Sequence, residues 1–296
     1  MPKKVFILSG ASFDTIVYLP EFPQAIPQTI HQSVFTEGPG STGVGKAANL
    51  CRLGFDTMLQ LLIGNDWHGQ QIQDYLGTKE IKLFIDTDPA GTERHVNLMN
   101  SRGERISIFI TSASSMPPID YAKYEQEIIQ SDTIVLNIAD YARHFIPLLR
   151  KHKKEVWTDL HDYTDENPYH EDFINASDFI FLSSDNLTDY RNTMQKLMAR
   201  GKKLVVCTHG KKGATALSSD GKWIDMPVIE SFDVKDTNGA GDAFFSGFLY
   251  AHKKGLSVKE CLLYGHILGG MCVNSEKIAA DNLSIQEVEK HFRNLA

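Results

Sequence analysis

Asp236-Thr237-Asn238-Gly239-Ala240-Gly241-Asp242-Ala243-Phe244 leads into an apolar run that reaches Ala251. The small residues Gly239, Ala240 and Gly241 let the backbone turn tightly and leave successive N–H groups free to meet an anion where a helix begins. Asp242 falls in the first turn of that helix. A carboxylate beside an anion hole suits the removal of a proton from a hydroxyl that attacks phosphorus. A glycine turn followed by a favoured first-turn acid is the plainer reading of the same residues, so a second motif has to decide between them.

The stretch also divides the chain. Toward the N-terminus, short apolar runs rich in β-branched residues recur at 5–8, 58–63, 133–138, 156–160, 179–182 and 204–208, and they read as buried parallel strands. Helical segments lie between them at 47–53, 69–76, 121–129, 142–152 and 187–200. This alternation predicts an α/β fold, a doubly wound, mainly parallel sheet flanked by helices with right-handed crossovers. Beyond Asp242 the chain reads as mostly helical, at 242–250, 258–274 and 285–292.

Two regions break the alternation. Residues 15–38 hold three prolines and period-2 segments such as Ile30-His31-Gln32-Ser33-Val34-Phe35, and residues 93–110 read as two strands turning at Ser101-Arg102-Gly103-Glu104. Together they predict a small β-sheet lid on a single domain spanning 1–296. Strands without a helical layer need another cover, either bound substrate or the lid of a second subunit. A homodimer through the lid is therefore expected.

At 296 residues the chain can bury a sizeable core without staples. The four cysteines, Cys51, Cys207, Cys261 and Cys272, stand singly in apolar surroundings, which points to buried free thiols rather than disulfides or zinc. A formal net charge of −7 disfavours a nucleic-acid or anionic-membrane surface and leaves small molecules as partners. The apolar run after Lys3-Lys4 stops at Ser9, too soon for a signal peptide. No later segment approaches the roughly 18 apolar residues of a membrane span, so a cytoplasmic location is expected.

Gly40-Ser41-Thr42-Gly43-Val44-Gly45-Lys46 fits seven positions of a P-loop, but the eighth is Ala47, where a Ser or Thr hydroxyl must reach magnesium. The preceding residues alternate in polarity like a lid strand rather than running apolar like a P-loop strand. These glycines need another explanation.

Gly45-Lys46-Ala47-Ala48-Asn49 and Asp236-Thr237-x-Gly239-Ala240-Gly241-Asp242-Ala243-Phe244 together resemble the two signatures of the ribokinase-like carbohydrate and nucleoside kinases, the phosphofructokinase B family. The resemblance runs over nearly the full length. It takes in Gly10-x-x-x-Asp14, Ile63-Gly64-x-Asp66-x-x-Gly69, Gly103-Glu104-Arg105, Asp159 and Thr208-x-Gly210-x-x-Gly213.

The resemblance implies ATP-dependent transfer of a γ-phosphoryl group to an alcohol of a sugar or nucleoside. Asp242 would be the general base, with the N–H groups of Ala240, Gly241 and Asp242 after Gly239 stabilising the transferring group. Asp14, Gly45, Lys46 and Asn49 match positions that hold the sugar; Ser12 stands where ribokinases often carry Asn, which points away from ribose itself. Thr208, Gly210 and Gly213 match the loop that passes the ATP phosphates, and His266 and Asn274 fall where the family contacts adenine and ribose.

Each of these has a structural alternative: a solvated loop cation for Lys46, an early-helix polar residue for Asn49, a tight turn for Thr208 to Gly213, a half-buried histidine for His266. The family's Asn-x-x-Glu magnesium motif falls on Ser184 and Leu187 in direct register, whereas Asn186-Leu187-Thr188-Asp189 supplies a shifted Asn-x-x-Asp. Asn186 and Asp189 are the Mg2+ candidates, with Asp185 a further carboxylate. Asp236 matches a position near a K+ site. Arg94, Arg102 and Arg105 could meet an anionic group on the acceptor or be surface arginines of a hairpin. A nucleoside acceptor, or a non-catalytic sugar or nucleotide sensor on the same fold, remains as an alternative function.

Overall fold

Val5, Phe6, Ile7 and Leu8 are all fully buried. Val5 and Ile7 face one apolar cluster and Phe6 and Leu8 the other. A strand apolar on both faces requires a helical layer on each side, and the fold supplies both. The structure is a computed structural model, which describes residues 3–31, 33–165, 167–229, 231–275 and 278–295. Gln32 of the alternating segment lies outside the described residues.

In chain order the strands are β1 (Lys4–Leu8), β2 (Ser12–Leu19), β3 (Val34–Gly40), β4 (Asp56–Ile63), β5 (Ile81–Thr87), β6 (Glu93–Asn100), β7 (Arg105–Thr111), β8 (Thr133–Leu136), β9 (Val156–Asp159), β10 (Phe179–Ser183), β11 (Leu204–Thr208), β12 (Ala214–Ser218) and β13 (Trp223–Met226). The helices are α1 (Thr42–Arg52), α2 (Trp67–Gly77), α3 (Glu125–Gln130), α4 (Ile146–Lys151), α5 (Glu171–Ala176), α6 (Tyr190–Met198), α7 (Ala240–Lys253), α8 (Val258–Val273) and α9 (Ile285–Leu295).

The body is one sheet in the order β13-β12-β11-β10-β9-β8-β1-β4-β5, with helices on both faces. It is parallel from β11 to β5, and β12 and β13 add two antiparallel strands at one end. The doubly wound, mainly parallel sheet predicted from the alternation is therefore present. Three of its strands carry no clean periodic signal: β5 and β13 are half-exposed edge strands with polar residues inside them, and β12 is a five-residue return. The helix predicted from residue 47 begins five residues earlier, at Thr42, so most of the glycine-rich segment is helical.

The predicted lid strands pair in a second, separate sheet, in the order β3-β2-β6-β7. It starts at Ser12 and reaches Gly40 and Thr111, slightly beyond the predicted 15–38 and 93–110. Its hairpin turns at Ser101 to Glu104, where Gly103 takes φ 77° and the Asn100 side chain accepts the N–H groups of Arg102 and Glu104, each at 3.0 Å. On the outer face Phe35, Ile106 and Ile108 are exposed. The cysteines are free, and Cys207, Cys261 and Cys272 are buried. Among the described residues no helix is long and apolar enough to cross a membrane.

Candidate active site

The sheet reverses direction of growth at β1, with β4 on one side and β8 on the other. In open α/β sheets the crevice beyond the carboxyl ends of the strands at such a reversal is where ligands bind. Two helices, α1 and α7, begin there. Ser41 before α1 and Gly239 before α7 both take φ 77°, and the Ser41 hydroxyl donates to Gly10 O at the end of β1 at 3.0 Å. Gly43 is required for α1 to sit so close, because a Cβ there would lie 2.1 Å from Ser9 Oγ.

Starting α1 at Thr42 puts Thr42 and Lys46 on one face, four residues apart. That face meets the first turn of α7. Lys46 Nζ donates to Asp242 Oδ1 at 2.9 Å and to Asp159 Oδ2, at the end of β9, at 3.2 Å. Thr42 accepts from Lys46 and donates to the same Asp242 oxygen. The Lys46 side chain is fully buried and its ammonium lies 4.8 Å from the Phe245 ring. Burial alone would push Lys46 down, but the Asp242 and Asp159 carboxylates more than offset it and the ammonium is raised above its ordinary value. Asp159 is held below the usual carboxylate range, its burial outweighed by His161, by Lys46 and by the His161 amide.

Asp242 Oδ2, by contrast, has no protein hydrogen bond among the described residues. It faces Gly45, where a Cβ would approach it to 2.7 Å. Beside it, the Ala240 N–H makes a 3.3 Å bond to Thr237 O, and helical bonding resumes with Ala243 N–H to Gly239 O at 2.9 Å. The Gly241 and Asp242 amides between them have no acceptor among the described residues. Gly239 itself could not be replaced cheaply, since a Cβ there would lie 3.1 Å from the Ile278 backbone.

The lid reaches over this loop. Along β2 the residues Ser12, Asp14, Ile16 and Tyr18 share one face, opposite Glu93, His95, Asn97 and Met99 of the parallel strand β6. Tyr18 donates to Asp236 Oδ2 at 2.8 Å, Thr237 donates to Gly103 O at 3.0 Å, and Arg105 donates to Asn238 Oδ1 at 3.3 Å. Arg102 instead pairs with Glu104 at 2.8 Å, and Arg94 is half-buried in β6. The root of β6 is fixed by Asp66, which caps α2 through Gly69 N–H at 2.8 Å and accepts the Thr92 N–H at 2.8 Å.

Of the acceptor-side candidates, Asp14 and Ser12 thus lie on the cleft face of the lid, and the Ser12 hydroxyl is buried without a hydrogen-bond partner. Gly45 lies against the acid. Lys46 sits behind Asp242 with no exposed surface. The Asn49 amide is buried and donates to Gly45 O at 2.8 Å and Ile278 O at 3.2 Å, tying the start of α1 to the segment that backs Gly239.

Thr208, Gly210 and Gly213 form the turn between β11 and β12. Gly213, at φ 104°, presses on β13, where a Cβ would lie 2.0 Å from Met226 O. His266 is buried beside Phe244, with ring centroids 5.2 Å apart, and burial lowers it to about 4 against a hydrogen bond with the Met226 backbone. Asn274 caps α8 and lines a cavity of about 590 Å³ together with Phe232, Lys235, Met271, Asn282 and His291. That cavity adjoins the glycine loop, since the neighbouring Cys272 Sγ donates to Asn238 O at 3.5 Å.

The metal candidates are engaged locally. Asn186 donates to Asp162 O at 3.0 Å, Asp189 caps α6 through Asn192 N–H at 3.0 Å, and Asp236 accepts from Tyr18 and the Asn238 N–H. Among the described residues no three His, Cys, Asp or Glu side chains gather as a metal site. Thr42, His95 and Tyr18 were not singled out by sequence. Thr42 becomes visible only once α1 is started at residue 42, because its spacing to Lys46 then has meaning.

The sequence profile of the pfkB family carbohydrate kinases matches residues 3–284. Acarbose 7(IV)-phosphotransferase of Actinoplanes sp. is 32% identical over 273 residues, covering 90% of each chain. A microbiome-derived acarbose kinase superposes with a TM-score of 0.85 at 25% identity, covering 99% of this chain and 100% of that one. Arabidopsis thaliana ribokinase, complexed with ribose and ATP, shares the fold with a TM-score of 0.80 at 20% identity and 99% coverage of both chains. The paired helix starts, the lid above them and the match over residues 3–284 agree, and the chain belongs to the pfkB family of carbohydrate kinases.

Proposed function

We propose that this carbohydrate kinase transfers the γ-phosphoryl group of ATP to a hydroxyl of a sugar or sugar derivative, with Asp242 as general base. The observation that carries the reading is the division of labour between the two Asp242 oxygens: Oδ1 is held by Thr42 and Lys46, and Oδ2 is left facing the cleft beside Gly45. An acceptor hydroxyl gives its proton to Oδ2 as its oxygen attacks the γ-phosphorus in line, and ADP leaves. The Gly241 and Asp242 amides, at the positive end of α7, stabilise charge on the transferring group. The acceptor lies against Ser12, Asp14 and Gly45 under the lid, whose cover excludes water.

ATP phosphates run along the turn Thr208, Gly210 and Gly213, and the nucleoside enters the cavity at Asn274. Burial reserves His266 for packing. The described residues offer no ligand cluster for Mg2+, so the ion would come with ATP and its waters, with Asn186, Asp185 and Asp189 within the loops that follow β10 as outer contacts. A K+ ion at Asp236 would have to share that carboxylate with Tyr18. The exposed outer lid face at Phe35, Ile106 and Ile108 supports a homodimer through the lid.

The test is ADP release over a panel that includes acarbose, ribose, other sugars and nucleosides. Stimulation by a sugar supports the reading, stimulation by nucleosides alone replaces it with nucleoside phosphorylation, and none by any acceptor favours a sensor. Asp242→Asn should then lower kcat about 10²–10⁴-fold with ATP binding kept; near-normal turnover would remove Asp242 from the role.

A further inference from the structure

On the cleft face of the lid, His95 stands opposite Asp14 in the β2–β6 register. Its Nδ1 is 3.3 Å from Asp14 Oδ1 and its Nε2 is 2.9 Å from Glu93 Oε1. The ring lies on Phe109 of β7, with centroids 3.9 Å apart. From β2 it faces Asp14, from its own strand Glu93, and from β7 the uncharged Phe109. The other Glu93 oxygen accepts the Ala113 N–H at 2.9 Å, which fixes that carboxylate.

Asp14 Oδ1 is buried, and apart from this contact with His95 no protein group among the described residues reaches it. Asn97 reaches the other oxygen at 3.4 Å. The Ser12 hydroxyl, two residues along the same face, is buried and unpartnered. A buried hydroxyl with no partner, beside a carboxylate oxygen held only by the imidazole, is costly unless a ligand completes the pair.

We propose that His95, clamped between Asp14 and Glu93, is a positioning residue that presents Asp14 Oδ1 and Ser12 Oγ to neighbouring hydroxyls of the acceptor, with Phe109 offering an apolar face to the sugar ring. This rests on the phosphoryl-transfer reading above and adds a residue to its acceptor side. Burial alone would lower the imidazole, but Asp14 and Glu93 more than offset it and raise it to about 9. A cation held between two acids removes their mutual repulsion and lets Asp14 keep its acceptor capacity for the ligand. Neutral His95 would leave the two carboxylates without the cation between them.

The experiment measures steady-state kinetics with acarbose, ribose and the other sugars of the ADP-release panel as acceptors, from pH 6 to 10, on the parent protein, His95→Gln and Glu93→Gln. For the parent, acceptor KM should be flat at neutral pH and rise as pH passes through about 9. His95→Gln should raise acceptor KM about tenfold or more, with kcat and the KM for ATP changed less than about threefold. Glu93→Gln should move the pH at which acceptor KM rises down by about one unit or more, since one of the two stabilising carboxylates is gone. This second variant keeps the inference testable if His95→Gln does not fold. An unchanged acceptor KM in His95→Gln, an equal rise in the KM for ATP, or an unmoved inflection in Glu93→Gln overturns the inference alone. A parent protein that phosphorylates no sugar of the ADP-release panel overturns the sugar-kinase reading and this inference with it.

Discussion

Lys46→Met removes one buried charge and keeps most of the stem. The ammonium lies 2.9 Å from Asp242 and 3.2 Å from Asp159, and the side chains of the two acids are only 14% and 10% exposed. At an effective dielectric near 20 each contact amounts to roughly 5 kcal/mol of attraction, most of which the burial of the ammonium offsets. Deleting the cation forfeits the attraction while both acids stay buried, so unfolding free energy at pH 7 should fall by about 3–5 kcal/mol. Lys46 is raised above 10.5 in the fold, so its contribution is complete below that pH and fades above it. Asp159 is lowered below 3.8, so its contribution holds above that pH and is lost in acid, where the gap between parent and variant should narrow. Urea unfolding of Lys46→Met, Asp159→Asn and the double variant gives the coupling, expected at about 2 kcal/mol or more. Turnover should fall as well, because Asp242 loses the group that holds Oδ1. A stability change under about 1 kcal/mol together with a selective rise in acceptor KM would refute the argument and return Lys46 to direct contact with the sugar.

Gly45→Ala places a methyl group 2.7 Å from Asp242 Oδ2 and should lower kcat more than about tenfold, measured by ADP release, because that oxygen must stay open. Gly213→Ala forces φ 104° on alanine and drives its Cβ into Met226 O; a urea midpoint lowered by about 2 kcal/mol or more is expected, with the KM for ATP raised. His266 is kept neutral down to about 4, whereas an unfolded imidazole takes a proton near 6.5, so stability should drop as pH falls through that window by up to about 3 kcal/mol; His266→Leu should flatten this part of the urea-unfolding profile. Phe35→Lys with Ile108→Lys charges the outer lid face and should give a monomer by light scattering if that face holds a dimer together.

The sheet was legible because strands such as 5–8 and 204–208 are apolar on both faces, and only a doubly covered parallel sheet buries them. Edge strands β5 and β13 were not, since half their residues face water and the pattern dissolves. The site was legible as a set of residues near one another, through the glycines that permit the approach of α1 to α7. What those residues do to each other was hidden. Asn49 and Lys46 read as polar groups available to a sugar, yet one spends its amide on Gly45 O and Ile278 O and the other its charge on two acids.

The reason is geometric. A helix start placed at residue 47 leaves Gly40 to Lys46 as a loop, in which any polar side chain can face a ligand. A start at Thr42 gives that stretch a 3.6-residue period, which commits Lys46 and Thr42 to the face that meets α7. The five-residue difference therefore turns Lys46 from a loop side chain free to face a ligand into the buried partner of Asp242 and Asp159. It also moves the search for acceptor-binding groups from α1 to the lid. There the unpartnered Ser12 hydroxyl and Asp14 lie on one side of a parallel strand pair whose other member supplies His95 against Asp14. Such a pairing joins residues 81 positions apart and no local pattern announces it, so the acceptor site proposed above depends on the β2–β6 register, which neither signature motif contains.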